Sequence, residues 1–297
     1  MKYHYINVSK MKSIYTFIFL SLILTSKNSY AYKPVFLMHG IVTGSISMDL
    51  IKSRIQELHP GTIVYNTNKF SGWSSVESMW YQVQQLLLDI KNITEQHPDG
   101  IHLLGYSQGA LLARSILQAY PEHNIKNFIS LSGPQAGQYG TQFLHLIFPG
   151  LALKEAYELF YSRVGQHTSV GNYWNDPFHQ ELYHNFSQYL PYINNELKST
   201  RSAQFKNALT KLNKMVLIGG PDDNVITPWE SSQFGFYNDN MTVVNLISRP
   251  LYQQDLIGLK TLDESGRLDL ITVPGVNHFM WHLNVSIVDN YIINYLD

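Results

Sequence analysis

The chain has 297 residues, with 21 lysines and arginines against 22 aspartates and glutamates, and no cysteine. A balanced charge without a basic stripe argues against nucleic acid as a partner. A chain without thiols forms no disulfide and must be held together by packing. No His/Asp/Glu cluster shows ligand spacing, so neither a metal nor an organic cofactor is expected.

Residues 1–31 carry Lys2, Lys10 and Lys12, an apolar run from Ile14 to Leu24, and a small-x-small ending at Ser29-Tyr30-Ala31. This is the pattern of a secretory signal peptide, and the apolar run falls short of the ~20 residues that span a bilayer. Export is expected, to the lysosome or exterior in a eukaryote, to the periplasm or exterior in a bacterium. Loss of Lys2, Lys10, Lys12 and Lys27 with this segment leaves 17 basic and 22 acidic residues, a net charge of −5 on residues 32–297. That length suits one large domain with an insertion. Triplets beginning at Asn92, Asn185, Asn240 and Asn284 fit the glycosylation acceptor pattern, which matters only in a eukaryotic secretory pathway.

Apolar runs predict strands near 34–38, 62–65, 101–105, 128–132, 215–219 and 268–273. From Ser75 to Gln96, apolar residues at Val76, Met79, Trp80, Val83, Leu86, Leu87, Ile90 and Ile93 recur with helical spacing. Alternating strands and helices imply a mostly parallel sheet with helices on both faces, an α/β fold. The first strand runs into His39-Gly40-Ile41, a loop whose Ile41 N–H could face an oxyanion; a plain glycine turn reads the same.

The third strand, Ile101-His102-Leu103-Leu104, meets a helix-like stretch through Gly105-Tyr106-Ser107-Gln108-Gly109. A serine at a sharp strand-to-helix corner needs neighbours without a Cβ, so the paired glycines predict a nucleophile elbow at Ser107 and an α/β-hydrolase fold. A serine that merely caps the helix would not need them. In such an elbow the N–H of Gln108 joins that of Ile41 as oxyanion donor. An orienting acid and a base should follow in that order. Asp222 and Asp223 both stand in the turn after the fifth strand, and local chemistry does not choose between them. His278 follows the last strand directly, with His282 its rival.

Between about 137 and 205 the alternation breaks and aromatic residues accumulate, among them Phe143, Phe148, Tyr157, Tyr173 and Trp174. This predicts an insertion. It reads either as a helical subdomain with its own core or as a lid over an apolar groove, which could touch a lipid surface transiently.

Three longer stretches, ISLSGPQAGQYG from Ile129, NYWNDP from Asn172 and VLIGGPDDNVITPWESSQFGFY from Val216, make the chain resemble the palmitoyl-protein thioesterase family, and within it the lysosomal-thioesterase branch. The resemblance covers essentially all of residues 32–297. It implies an α/β-hydrolase that cleaves long-chain acyl thioesters, palmitoyl-CoA-like or S-palmitoylated with the former favoured in this branch, to free fatty acid and thiol. It puts the nucleophile on Ser107, the acid on Asp223, five residues before Pro228, and the base on His278. Lysosomal members of the family have disulfides and this chain has no cysteine; that departure leaves the triad untouched but weighs against lysosomal residence and against the family's disulfide-borne stability. An oxygen-ester lipase on the same fold is the alternative activity, and an inactive lipid-binding protein the alternative class.

Overall fold

The strands β1 (Val35–Met38), β2 (Val64–Asn66), β3 (His102–Tyr106), β4 (Asn127–Leu131) and β5 (Lys214–Gly219) precede a short antiparallel pair, β6 (Phe236–Tyr237) and β7 (Val243–Val244), and a last strand, β8 (Leu268–Thr272). In this computed structural model, which describes residues 32–297, all but β6 and β7 form one sheet in the order β2-β1-β3-β4-β5-β8. Every pairing in it is parallel. The expected signal peptide, residues 1–31, lies outside the described residues.

The inner strands are mostly apolar and almost wholly buried because both faces are covered. Phe36, Met38, Leu103, Phe128, Met215 and Leu217 point to one side, into a core shared with the helices α2 (Met79–Gln96), α3 (Gln108–Ala119) and α9 (Ser202–Thr210). Their alternating neighbours Val35, Leu37, Leu104, Ile129, Val216 and Ile218 point to the other, against α1 (Asp49–Leu58) and the C-terminal segment around Ile287, Val288 and Ile292. Period-two alternation thus splits one sheet into two cores.

All six predicted strands are present, with ends shifted by a residue or two. The helix expected from Ser75 begins only at Met79, because Gly72–Val76 winds as a 3₁₀ turn and Glu77 and Ser78 are extended. Its first N–H is satisfied from far along the chain: Met79 donates to Asn172 Oδ1 at 2.8 Å. Between β4 and β5 lie α4 (Thr141–Ile147), α5 (Ala156–Phe160), α6 (Ser169–Tyr173), α7 (Gln180–Phe186) and α8 (Leu190–Ile193), then α9. Arg114, fully buried on α3, ties this region to the sheet by donating to Gln135 Oε1 at 2.6 Å and Asn194 Oδ1 at 2.8 Å. Among the described residues no helix is long and apolar enough to cross a membrane.

His123, buried in the α3–β4 connection, accepts from the Ile125 N–H at Nδ1 (3.2 Å), so its Nε2 carries the proton shared with the Ala208 carbonyl at 2.9 Å. Burial pushes this imidazole down from 6.5 to about 4. The unfolded chain therefore takes up a proton that the folded chain refuses between those values, and stability falls as pH drops through that window. The melting temperature is expected to decline from pH 7 to pH 5, and His123→Asn to flatten part of that decline; an unchanged slope in the variant would assign it to other groups.

Candidate active site

Parallel pairing delivers the ends of β1, β3, β4, β5 and β8 to a single edge of the sheet, where Ile41, Ser107, Ser132, Asp223 and His278 follow in turn. Ser107 sits at φ 54°, ψ −130°, a conformation that L residues adopt only when their surroundings impose it. The glycines around it leave no room for a side chain. A Cβ on Gly105 would lie 2.4 Å from the Gly109 carbonyl oxygen, and one on Gly109 would lie 2.3 Å from that of His39.

The hydroxyl of Ser107 is 2.9 Å from His278 Nε2, and His278 Nδ1 is 2.8 Å from Asp223 Oδ2. All three residues are buried. Asp223 is surrounded by donors. Its Oδ1 accepts the N–H groups of Val225 (3.0 Å) and Ile226 (2.9 Å), and its Oδ2 accepts the Trp281 indole N–H at 2.8 Å and the Ser132 hydroxyl. Burial alone would raise this carboxyl. The hydrogen bond and charge of His278, with Ser132 and the Val225 amide, more than reverse that, and Asp223 stays below the ordinary aspartate range. Ser132, like Ser107, is held at positive φ, 47°. Tyr106 packs beside His278: its ring lies 5.2 Å from that of His278, and its hydroxyl donates to the His278 carbonyl at 3.0 Å.

Of the competing candidates, Asp222 faces away and accepts the Gly275 N–H at 2.6 Å. His282 packs on the same tyrosine, 4.3 Å from the Tyr106 ring, and burial with the neighbouring His278 pushes it down to about 4. Among the described residues, the N–H groups of Ile41 and Gln108 have no hydrogen-bond acceptor. Both residues flank Ser107.

Ser107 and His278 open onto a cleft of about 250 Å³ whose walls are mostly apolar, including Ile41, Trp73, Phe143, Ile147 and Phe279. Trp73 and Phe279 are well exposed at its mouth. Phe143 and Ile147 come from α4 in the aromatic region. A larger depression of about 520 Å³, beside Trp229, Glu230 and Ile247, shares no residue with this group. Ser132, Trp281 and Tyr106 escaped the sequence reading. Trp281 alone left a trace, three residues beyond a candidate base, but a tryptophan there reads equally as core.

A parallel sheet with a positive-φ serine at the end of its third strand, and an aspartate and a histidine delivered by later strands in that order, defines an α/β-hydrolase. Within that class the chain belongs to the palmitoyl protein thioesterase family, whose model matches residues 34–278. Membership makes it a thioester hydrolase. It is 56% identical over 269 residues to the Lysosomal thioesterase PPT2 homolog of Drosophila melanogaster, covering 91% of this chain and 93% of that one. To Lysosomal thioesterase PPT2-B of Xenopus laevis it is 41% identical, covering 91% and 94%. To Lysosomal thioesterase PPT2 of Rattus norvegicus it is 43% identical, covering 87% and 86%.

Proposed function

We propose that this hydrolase cleaves long-chain fatty acyl thioesters through an acyl-serine intermediate on Ser107. The observation that carries the reading is the continuous hydrogen-bonded line from Ser107 through His278 to Asp223, opening onto an apolar cleft. His278 takes the Ser107 proton as Oγ attacks the thioester carbonyl, and Asp223 fixes the tautomer and stabilises the imidazolium. The N–H groups of Ile41 and Gln108 receive the oxyanion. The carbon–sulfur bond breaks and the thiolate leaves with the proton from His278. Water, deprotonated by the same imidazole, then attacks the acyl-serine to release free fatty acid.

The acyl chain enters between Phe143, Ile147 and Ile41, and a long one continues over the exposed rings of Trp73 and Phe279, which could rest on a lipid surface. In this reading residues 137–205 act as the wall of the groove and the lid-like insertion of the domain. Residues 1–31 are the signal peptide that exports the enzyme, and the names of its relatives point to the lysosome as destination.

Palmitoyl-CoA hydrolysis by the 32–297 protein tests the activity, set beside a matched oxygen ester; exclusive turnover of the oxygen ester would overturn the thioester assignment. Chain length tests the groove. Each buried methylene contributes about 0.8 kcal/mol, so kcat/KM should climb from C8 to C16 by up to ~6 kcal/mol if all eight carbons are held. A flat profile from C4 to C16 would sink the groove and leave the triad standing.

A further inference from the structure

We infer that Ser75 is a positioning residue that latches the two oxyanion donors to one another; the inference rests on the assignment of Ile41 and Gln108 as those donors. The donors come from loops far apart in sequence; glycine-to-backbone packing of Gly109 on His39 sets how closely the two approach, and hydrogen bonds through Ser75 add a second constraint. Ser75, buried in the 3₁₀ turn Gly72–Val76, touches both. Its hydroxyl donates to the Gly72 carbonyl at 2.6 Å, which leaves its lone pairs to accept the Val42 N–H at 2.7 Å. Its own carbonyl accepts the side-chain amide of Gln108 at 2.7 Å and that of Gln82 at 2.8 Å. The Gln108 carboxamide cannot turn round, because its Oε1 is held by the Tyr173 hydroxyl at 3.1 Å.

One end of this latch carries strain. Val42 lies at φ 55°, an outlier for a β-branched residue that persists only where neighbours over-determine it. The Ser75 hydroxyl fixes the peptide between Ile41 and Val42, and so the turn from which the Ile41 N–H projects. Gly72 adds a second tie, donating its N–H to the Thr43 carbonyl at 2.7 Å. Fixed donors need no reorganisation when charge appears on the carbonyl oxygen, and that gain exists only in the transition state.

The test compares wild type, Ser75→Ala and Ser75→Thr by palmitoyl-CoA kinetics and by binding of two ligands, a long-chain trifluoromethyl ketone that forms an oxyanion on the serine and a non-reactive S-alkyl-CoA thioether. Outright removal of an oxyanion donor costs 10²–10³-fold in kcat, so loosening one should cost about 10-fold. Ser75→Ala is expected to lose that factor in kcat and in ketone affinity alike, with KM and thioether affinity unchanged, and Ser75→Thr to recover most of it. Wild-type kcat and ketone affinity in Ser75→Ala would overturn the latch, as would equal losses for ketone and thioether. If Ser75→Ala does not fold, Gln108→Leu breaks the other arm while keeping the Gln108 N–H, and the same two ligands decide. Full activity in Ser107→Ala would instead overturn the underlying triad assignment, independently of Ser75.

Discussion

Ser107→Ala and His278→Ala are each expected to lower kcat on palmitoyl-CoA by on the order of 10⁴-fold or more, because members of a triad act as a unit. His282→Ala should leave most activity in place. The contrast is sharp because the two histidines lie four residues apart, are both buried, and pack on the same tyrosine ring. Only His278 has one nitrogen at 2.9 Å from the Ser107 hydroxyl and the other at 2.8 Å from a carboxylate. His282 Nδ1 has no partner among the described residues, and its environment suppresses the charged form a general base must pass through. It could contribute stability but not proton transfer. The variants separate these roles: His282→Ala should lose melting temperature and keep kcat, and His278→Ala the reverse. Loss of activity in His282→Ala with retention in His278→Ala would exchange the two assignments.

Much of this site could be read in the sequence because its parts are local. Gly105 and Gly109 announce the elbow through a backbone requirement, and His278 is found by its distance past an apolar strand. What the sequence hides is contact between distant segments. Asp222 and Asp223 are adjacent and chemically identical. They differ only in that the turn after β5 aims Asp223 at His278 and Asp222 at the Gly275 N–H, 53 residues downstream. The late start of α2 has the same origin. Val76 fits the apolar stripe, but the helix begins where Asn172, 93 residues later, supplies an acceptor. The sequence carries no signal of the roles of Ser75 and Ser132, since a serine acquires such a role only from the groups that folding brings to it.

Asp223→Asn should reduce kcat by about 10⁴-fold, with little change in KM, since an amide in that place favours the wrong imidazole tautomer. The surrounding donors make the substitution especially unfavourable. Trp281, Val225 and Ile226 direct N–H groups at this side chain that can only donate, so an asparagine NH₂ turns to His278 Nδ1 or to a Ser132 hydroxyl rotated to accept. Taking the Nδ1 lone pair in this way puts the proton on Nε2, where it faces Ser107 and blocks its deprotonation. Trp281→Phe probes the same network more gently, keeping the ring in its buried slot and deleting one charge-assisted hydrogen bond. Such bonds contribute ≈ 1.5–3 kcal/mol, and with the other donors intact the loss in kcat should be about 10-fold. The depressed Asp223 carboxyl also stabilises the fold above the ordinary aspartate value, and that contribution is lost as pH falls through its lowered value. Removing the indole N–H lifts the folded-state value, so acid unfolding of Trp281→Phe should begin at higher pH than in wild type. In the Asp223→Asn background the indole has no carboxylate to hold, and Trp281→Phe should then cost almost nothing in kcat. Full additivity of the two substitutions would mean that Trp281 acts through packing and not through Asp223.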